Sequence, residues 1–138
     1  MMAQEGTNLI PGHTEGTTLE EMLHEHPCQA VASTLSLVGN KWSVLVIMLL
    51  SEKPRRFNEL KRLIGGISQR MLTLTLRELE REGLVSRSVF PTIPPRVDYA
   101  LTDLGRSLQE PVNALGLWSI RNQQELAASR RRFDARSD

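Results

Sequence analysis

Gln69, Arg70, Thr73 and Arg77 lie close together in the stretch 67–82, ISQRMLTLTLRELERE. Their types suit one chemistry. An arginine can donate two hydrogen bonds to the guanine edge, a glutamine can pair with adenine in the same bidentate way, and a threonine methyl can touch the methyl of thymine. Placed at about 100° per residue, Arg70, Arg77 and Arg81 fall on one side of a helix, with Gln69 and Thr73 on its flank. Leu72, Leu76 and Leu79 fall on the opposite stripe, beside Thr75. A solvated face ordinarily mixes both signs. Here the acids Glu78, Glu80 and Glu82 crowd the last turns, which leaves the first two turns cationic and polar, a pattern suited to touching a polyanion. Leu74 sits between Arg70 and Arg77 on the outer side, where it can meet a thymine methyl or cover the arginine stems. Ser68 is placed to cap the helix and joins the candidate contacts; Gly83 is placed to end it.

Further cations flank this stretch. Arg55, Arg56 and Lys61 line the approach to a short preceding helix and suit phosphate oxygens. Arg96 follows two prolines at the base of a hairpin, where it can approach the minor groove or a flanking phosphate. Two alternatives stay open: a salt bridge from Arg96 to Asp98, and pairing of Arg77 with Glu78 or Glu80.

Cys28 is the one cysteine. It follows Pro27 at a helix start, where the dipole favours a thiolate, and His26 stands two residues before it. One reading is a thiol whose oxidation, or reaction with a small electrophile, controls the protein. With a single thiol that requires an intermolecular disulfide, a mixed disulfide or an adduct. The other reading is a buried small hydrophobe. His24, His26 and Cys28 together offer three metal-capable donors but no fourth, so no metal site is expected, and a metal-responsive regulator is kept as an alternative. There is no nucleophile elbow, phosphate loop, HExxH motif or carboxylate constellation. Neither a catalytic residue nor a cofactor is expected, and the chain does not read as an enzyme.

The elements that must hold these groups follow from periodicity. Residues 1–17 are rich in Gly and Thr and read as a flexible arm. Residues 18–25 suit a short helix, and 28–37 carry apolar residues at helical spacing. Gly39-Asn40 breaks that pattern, and Asn40 can cap the next helix. Residues 41–50 are apolar almost all round, with Trp42, Leu45, Val46 and Leu49 on the main stripe, and read as the central buried helix. Residues 51–56, with Pro54, read as a turn. Residues 58–64 form a short helix burying Leu60, Leu63 and Ile64 behind Phe57, and Gly65-Gly66 makes the turn before the arginine helix. A short helix, a glycine turn and a second helix with a polar outer face match the helix-turn-helix pattern. Residues 85–90 and 96–101 are strand-like and bracket the tip PTIPP, as a stiff exposed wing would require. Thr102 can cap one last long helix that runs to about residue 132, kinked or restarted by Pro111. Its stripe, Leu108, Val112, Leu115 and Trp118 with Leu104, carries more apolar surface than a small domain can cover, so a two-fold partner is the expected cover.

The whole reads as a mainly α chain with a small β-hairpin wing: the arm 1–17, a winged domain with dimerisation helices over 18–120, and a helix end and tail over 121–138. The net charge of +1 hides a division. Residues 1–27 carry five acids and no Lys or Arg, whereas residues 50–99 carry ten Lys/Arg against six acids. The longest apolar run, 44–50, falls well short of the roughly 18 residues of a membrane span, so no membrane partner is expected. A lone cysteine and the lack of a signal-like start point to a reducing cytoplasm.

The pieces RRFNEL, GISQRMLT, LRELEREGLV, PPRVDYALT and LGRSL, in this order, resemble the HxlR-type winged-helix transcriptional regulators, relatives of the MarR-like group. The similarity covers about residues 28–120. It implies a cytoplasmic homodimer held by its first and last helices. The helix at 68–81 would enter the major groove of a palindromic double-stranded operator, and residues 91–96 would form the wing. Several members of the family carry a cysteine at the place of Cys28 that senses oxidants or electrophiles, so a small molecule or oxidant is the implied effector. This chain departs from the family at Leu74, where glutamine is common, and at CQA, where CP is frequent. The runner-up function is a protein-interaction adaptor built on the same scaffold without DNA reading.

Overall fold

Asn40 begins the central helix by side-chain capping: its Oδ1 accepts from the backbone N–H groups of Trp42 at 2.9 Å and Ser43 at 3.4 Å. The structure, a computed structural model, describes residues 16–136, so the N-terminal arm proposed from composition lies almost wholly outside the described residues. The chain divides into two units at Ser36 and Leu37. The first holds α1 (Leu19–Glu25) and most of α2 (Cys28–Val38). Thr18 and Glu21 make a reciprocal capping box at the start of α1. No side chain of α1 or α2 is buried.

The second unit contains α3 (Lys41–Glu52), β1 (Arg55–Arg56), α4 (Phe57–Leu63), α5 (Gln69–Arg81), β2 (Val85–Phe90), β3 (Arg96–Leu101), α6 (Asp103–Arg106), α7 (Gln109–Arg121) and α8 (Gln123–Asp134). The architecture is mainly helical with a three-stranded antiparallel sheet of order β1-β3-β2. Val85 pairs with Leu101 and Phe90 with Arg96 across the hairpin. The stretch 51–56 is more than a turn, because Arg55 and Arg56 pair with Tyr99 and Asp98 and add a short edge strand.

The core gathers Val46, Ile47 and Leu50 of α3, Leu60 and Ile64 around α4, Leu72, Leu76 and Leu79 of α5, and Val85, Leu101 and Val112. The buried side of α3 is therefore rotated from the expected stripe: Ile47 and Leu50 are inside, whereas Leu45 is exposed. Leu63 also faces outward, at the last turn of α4. The single long C-terminal helix of the sequence reading is three helices. Pro111 is the third residue of α7, where a missing N–H costs nothing, so the break falls upstream of it at Ser107–Leu108. A second break falls at Asn122.

Two glycines set close approaches. A Cβ on Gly105 would collide with the backbone carbonyl of Leu84, and one on Gly116 would meet the side chain of Met48, which lets α7 lie tight on α3. Thr102 joins three segments. Its N–H donates to Leu84 O at 3.1 Å, its hydroxyl donates to Gly83 O at 2.6 Å, and the same oxygen accepts from Gly105 N at 3.0 Å.

Candidate nucleic-acid interface

The arginine helix α5 is built as its sequence requires. Ser68 Oγ accepts from Met71 N at 3.0 Å, and Gly83 takes a left-handed φ of +79° after the last turn. Leu72, Thr75, Leu76 and Leu79 are buried on one side. Thr75 is tolerated there because its hydroxyl donates to Met71 O at 2.8 Å. The opposite side carries Gln69, Arg70, Thr73, Leu74 and Arg77, all exposed, which with Glu78 line one shallow concave surface. Among the described residues neither Arg70 nor Arg77 nor Arg81 enters an ion pair; Glu80 is turned instead towards Arg87, Nε to Oε2 3.8 Å. The guanidinium groups of the first turns are thus uncommitted. Leu74 lies among them, 52% exposed.

The flanking cations separate into two kinds. Arg55 is taken out of the candidate set. Its side chain is buried, its Nη1 meets Glu59 Oε2 at 2.8 Å, its Nη2 meets Glu52 Oε1, and its Nε donates to Leu49 O at 2.9 Å. Each of the three guanidinium nitrogens has a partner and the side chain is buried, so it is a strut between α3 and α4 rather than a phosphate contact. Burial pushes the Glu59 carboxyl up, but the hydrogen bond and charge of Arg55 outweigh that and hold it below its ordinary value of 4.5. Arg56 and Lys61 remain exposed. Arg56 stands 3.9 Å from Asp98, a loose contact.

Arg96 lies at the wing base and keeps both readings. Its Nε is 3.3 Å from Asp98 Oδ1, at an angle that leaves both buried atoms without a hydrogen bond, while Nη2 donates to Oδ2 at 3.3 Å. Its guanidinium also covers the Phe90 ring at 4.3 Å. Arg62, which the sequence reading passed over in favour of its neighbour Lys61, is exposed and lines the cleft between α4 and the wing with Arg56 and Arg96. Its signal was present in the pair Lys61-Arg62, since helical periodicity turns neighbouring residues to different sides.

Cys28 is exposed at the first residue of α2, and its thiol lies 3.8 Å from Leu23 O. Within the protomer it is not packed in a core. His24, His26 and Cys28 are not brought together as a set of metal ligands among the described residues. The C-terminal stripe divides. Val112 is buried in the subunit core and Leu108 packs against it, whereas Leu115 and Trp118 are more than half exposed, with Ile120 beside them. Val112 and Leu108 therefore serve the protomer's own core, and the outward apolar face of α7 belongs to the other residues. No single helix among the described residues is long and apolar enough to cross a membrane.

The HxlR-like helix-turn-helix family model matches residues 37–127, and the chain belongs to that family. An uncharacterized HTH-type transcriptional regulator of Halalkalibacterium halodurans is 47% identical over 91 residues, covering 65% of this chain and 80% of the relative. Among solved structures, the transcriptional regulator ytfH from Salmonella typhimurium superposes with a TM-score of 0.68 at 36% identity, covering 76% of this chain and 91% of that one. The redox regulator HypR in its oxidized form superposes with a TM-score of 0.63 at 42% identity, covering 67% of this chain and 96% of that one. The protein is thus a helix-turn-helix transcriptional regulator of a non-enzymatic family, with DNA as its implied partner.

Proposed function

We propose that this regulator reads double-stranded DNA sequence as a homodimer, with α5 as the recognition helix. The observation that carries the reading is the contrast across α5: four buried side chains on one side, and exposed, unpaired Arg70 and Arg77 on the other. Gln69, Arg70 and Thr73 are assigned to base edges, Leu74 to a thymine methyl, and Ser68, Arg77, Arg56 and Lys61 to phosphates. Arg96 is assigned to the wing's approach to the flanking backbone. The exposed apolar face of α7, with Leu115 and Trp118, is assigned to a second copy. That copy would set two recognition helices about one helical turn, or a multiple of it, apart on a palindromic operator. A cytoplasmic location goes with this role.

Control is assigned to Cys28. Its exposure supports this, as does the likeness to HypR, a redox regulator. Modification of the thiol by an oxidant or small electrophile would shift the population of dimer geometries that fit the operator.

Duplex binding measured by fluorescence anisotropy across a salt series tests the central reading. A reader weakens steeply and linearly on a log–log plot, with a slope near −0.9 for each phosphate neutralised. A protein-interaction adaptor on this scaffold gives no duplex binding at any salt concentration, and that result sinks the proposal.

A further inference from the structure

The wing ends in an apolar tip that the contacts assigned so far leave without a role. Ile93 is 101% exposed, far beyond the other exposed large hydrophobics among the described residues, which reach 65%. Its support is stiff. Pro91, Pro94 and Pro95 restrict the backbone on both sides. Thr92 N donates to Phe90 O at 2.8 Å, and Thr92 Oγ1 donates to Pro94 O at 2.8 Å. Below the tip the paired residues Phe90 and Arg96 stack on one another, and Arg96 is held by Asp98. A β-branched side chain on such a support loses little freedom when it is enclosed.

The surroundings decide what encloses it. Ile93 and Pro94 share one cleft with Arg56, Arg62 and Arg96. Glu59 lies in the same cleft, already paired with Arg55, and Asp98 is shared between Arg56 and Arg96. A greasy protein pocket that took Ile93 would bring low-dielectric surface against three guanidinium groups. A polyanion with a narrow apolar-walled groove satisfies both at once, because its phosphates meet the cations while its base stack meets the isoleucine.

We infer that Ile93 is a minor-groove wedge, which partly unstacks one base step outside each half-site while Arg56 and Arg62 hold the adjoining phosphates. The inference rests on the reading of the chain as a duplex reader. Opening a step is easiest at pyrimidine–purine steps such as TA and CA, and hardest in stiff A-tracts. The wedge therefore confers preference at a position no hydrogen bond reads. Its size is that of one unfavourable base pair, roughly tenfold in affinity.

The test selects duplexes from a randomised pool with the full chain, with Ile93→Ala and with Ile93→Leu; both variants alter a side chain that packs on nothing, and circular dichroism checks that they fold. The wild type and Ile93→Leu enrich TA or CA at a fixed distance outside the core motif. Ile93→Ala keeps the core motif and loses that outer preference about tenfold. In a selected duplex with 2-aminopurine at the outer step, fluorescence rises on binding wild type and stays flat with Ile93→Ala. An unchanged outer preference in Ile93→Ala, or none in the wild type, overturns the wedge while the core motif still upholds DNA reading. A wild type that enriches nothing overturns both.

Discussion

Arg55 of β1 and Glu59 of α4 meet at 2.8 Å inside a cluster that also takes in Glu52 and the carbonyl of Leu49. Losing the guanidinium leaves that carbonyl without its partner and leaves Glu59 only the looser contact with Lys53 at 4.0 Å. Arg55→Ala is expected to destabilise the fold by about 2–4 kcal/mol, read from urea denaturation. The same contact sets an acid limit. The folded pKa of Glu59 is held below 4.5, so the contribution is fully present above that value and is lost as pH falls through the lower folded value. Wild type should lose stability more steeply than Arg55→Ala does as pH falls below 4.5, because folded Glu59 binds fewer protons there than the unfolded chain does. Parallel slopes for the two proteins would contradict this account.

Arg70 and Arg77 should separate by kind of contact. Arg70→Ala should leave the melting temperature unchanged, since the side chain is exposed and packs no core, yet cost about 1–3 kcal/mol on a selected duplex and relax preference at one base position. Arg77→Ala should weaken all duplexes alike and flatten the salt slope by about one unit. Anisotropy on matched and scrambled duplexes distinguishes the two.

The α7 stripe yields opposite expectations for neighbouring residues. Val112→Ala opens space in the subunit core and should lower protomer stability by about 1–2 kcal/mol without changing association. Trp118→Ala and Leu115→Asp should leave the protomer fold intact and shift sedimentation towards monomer. A Trp118→Ala protein that sediments unchanged would remove α7 from the dimer interface.

For Cys28, the expected result is a change of at least several-fold in duplex affinity after diamide treatment in wild type, abolished in Cys28→Ser and reversed by a thiol reductant. Equal responses of the two proteins would end the assignment.

Most of the site could be read from residue order because its determinants are local. Ser68 as cap, Gly83 as terminator and the split of α5 into a leucine side and an arginine side need only the helical period, and each is found in place. The wing strands and the Thr102 cap follow for the same reason. What was misread depends on partners distant in the chain or turned by tertiary packing. Arg55 looks like any surface cation until Glu52, Glu59 and Leu49 O close around it. The strand β1 exists only because β3 runs beside it, which a sequence window holding Pro54 cannot show. Val112 and Trp118 share a sequence stripe, but α3 packs on the side of α7 that carries Val112 and Gly116 and leaves Leu115 and Trp118 facing outward. The need for glycine at residue 105 comes from the carbonyl of Leu84, which no local rule reaches.

The hydroxyl of Thr102 binds the residue that terminates α5 and, through the same oxygen, the amide of Gly105 in α6. The joint is close-packed as well as bonded, since Gly105 lies against the carbonyl of Leu84 with no room for a Cβ. One small polar atom thus fastens the end of α5 and the start of α6 to the end of β3, so the wing and the arginine-bearing helix share a single anchor.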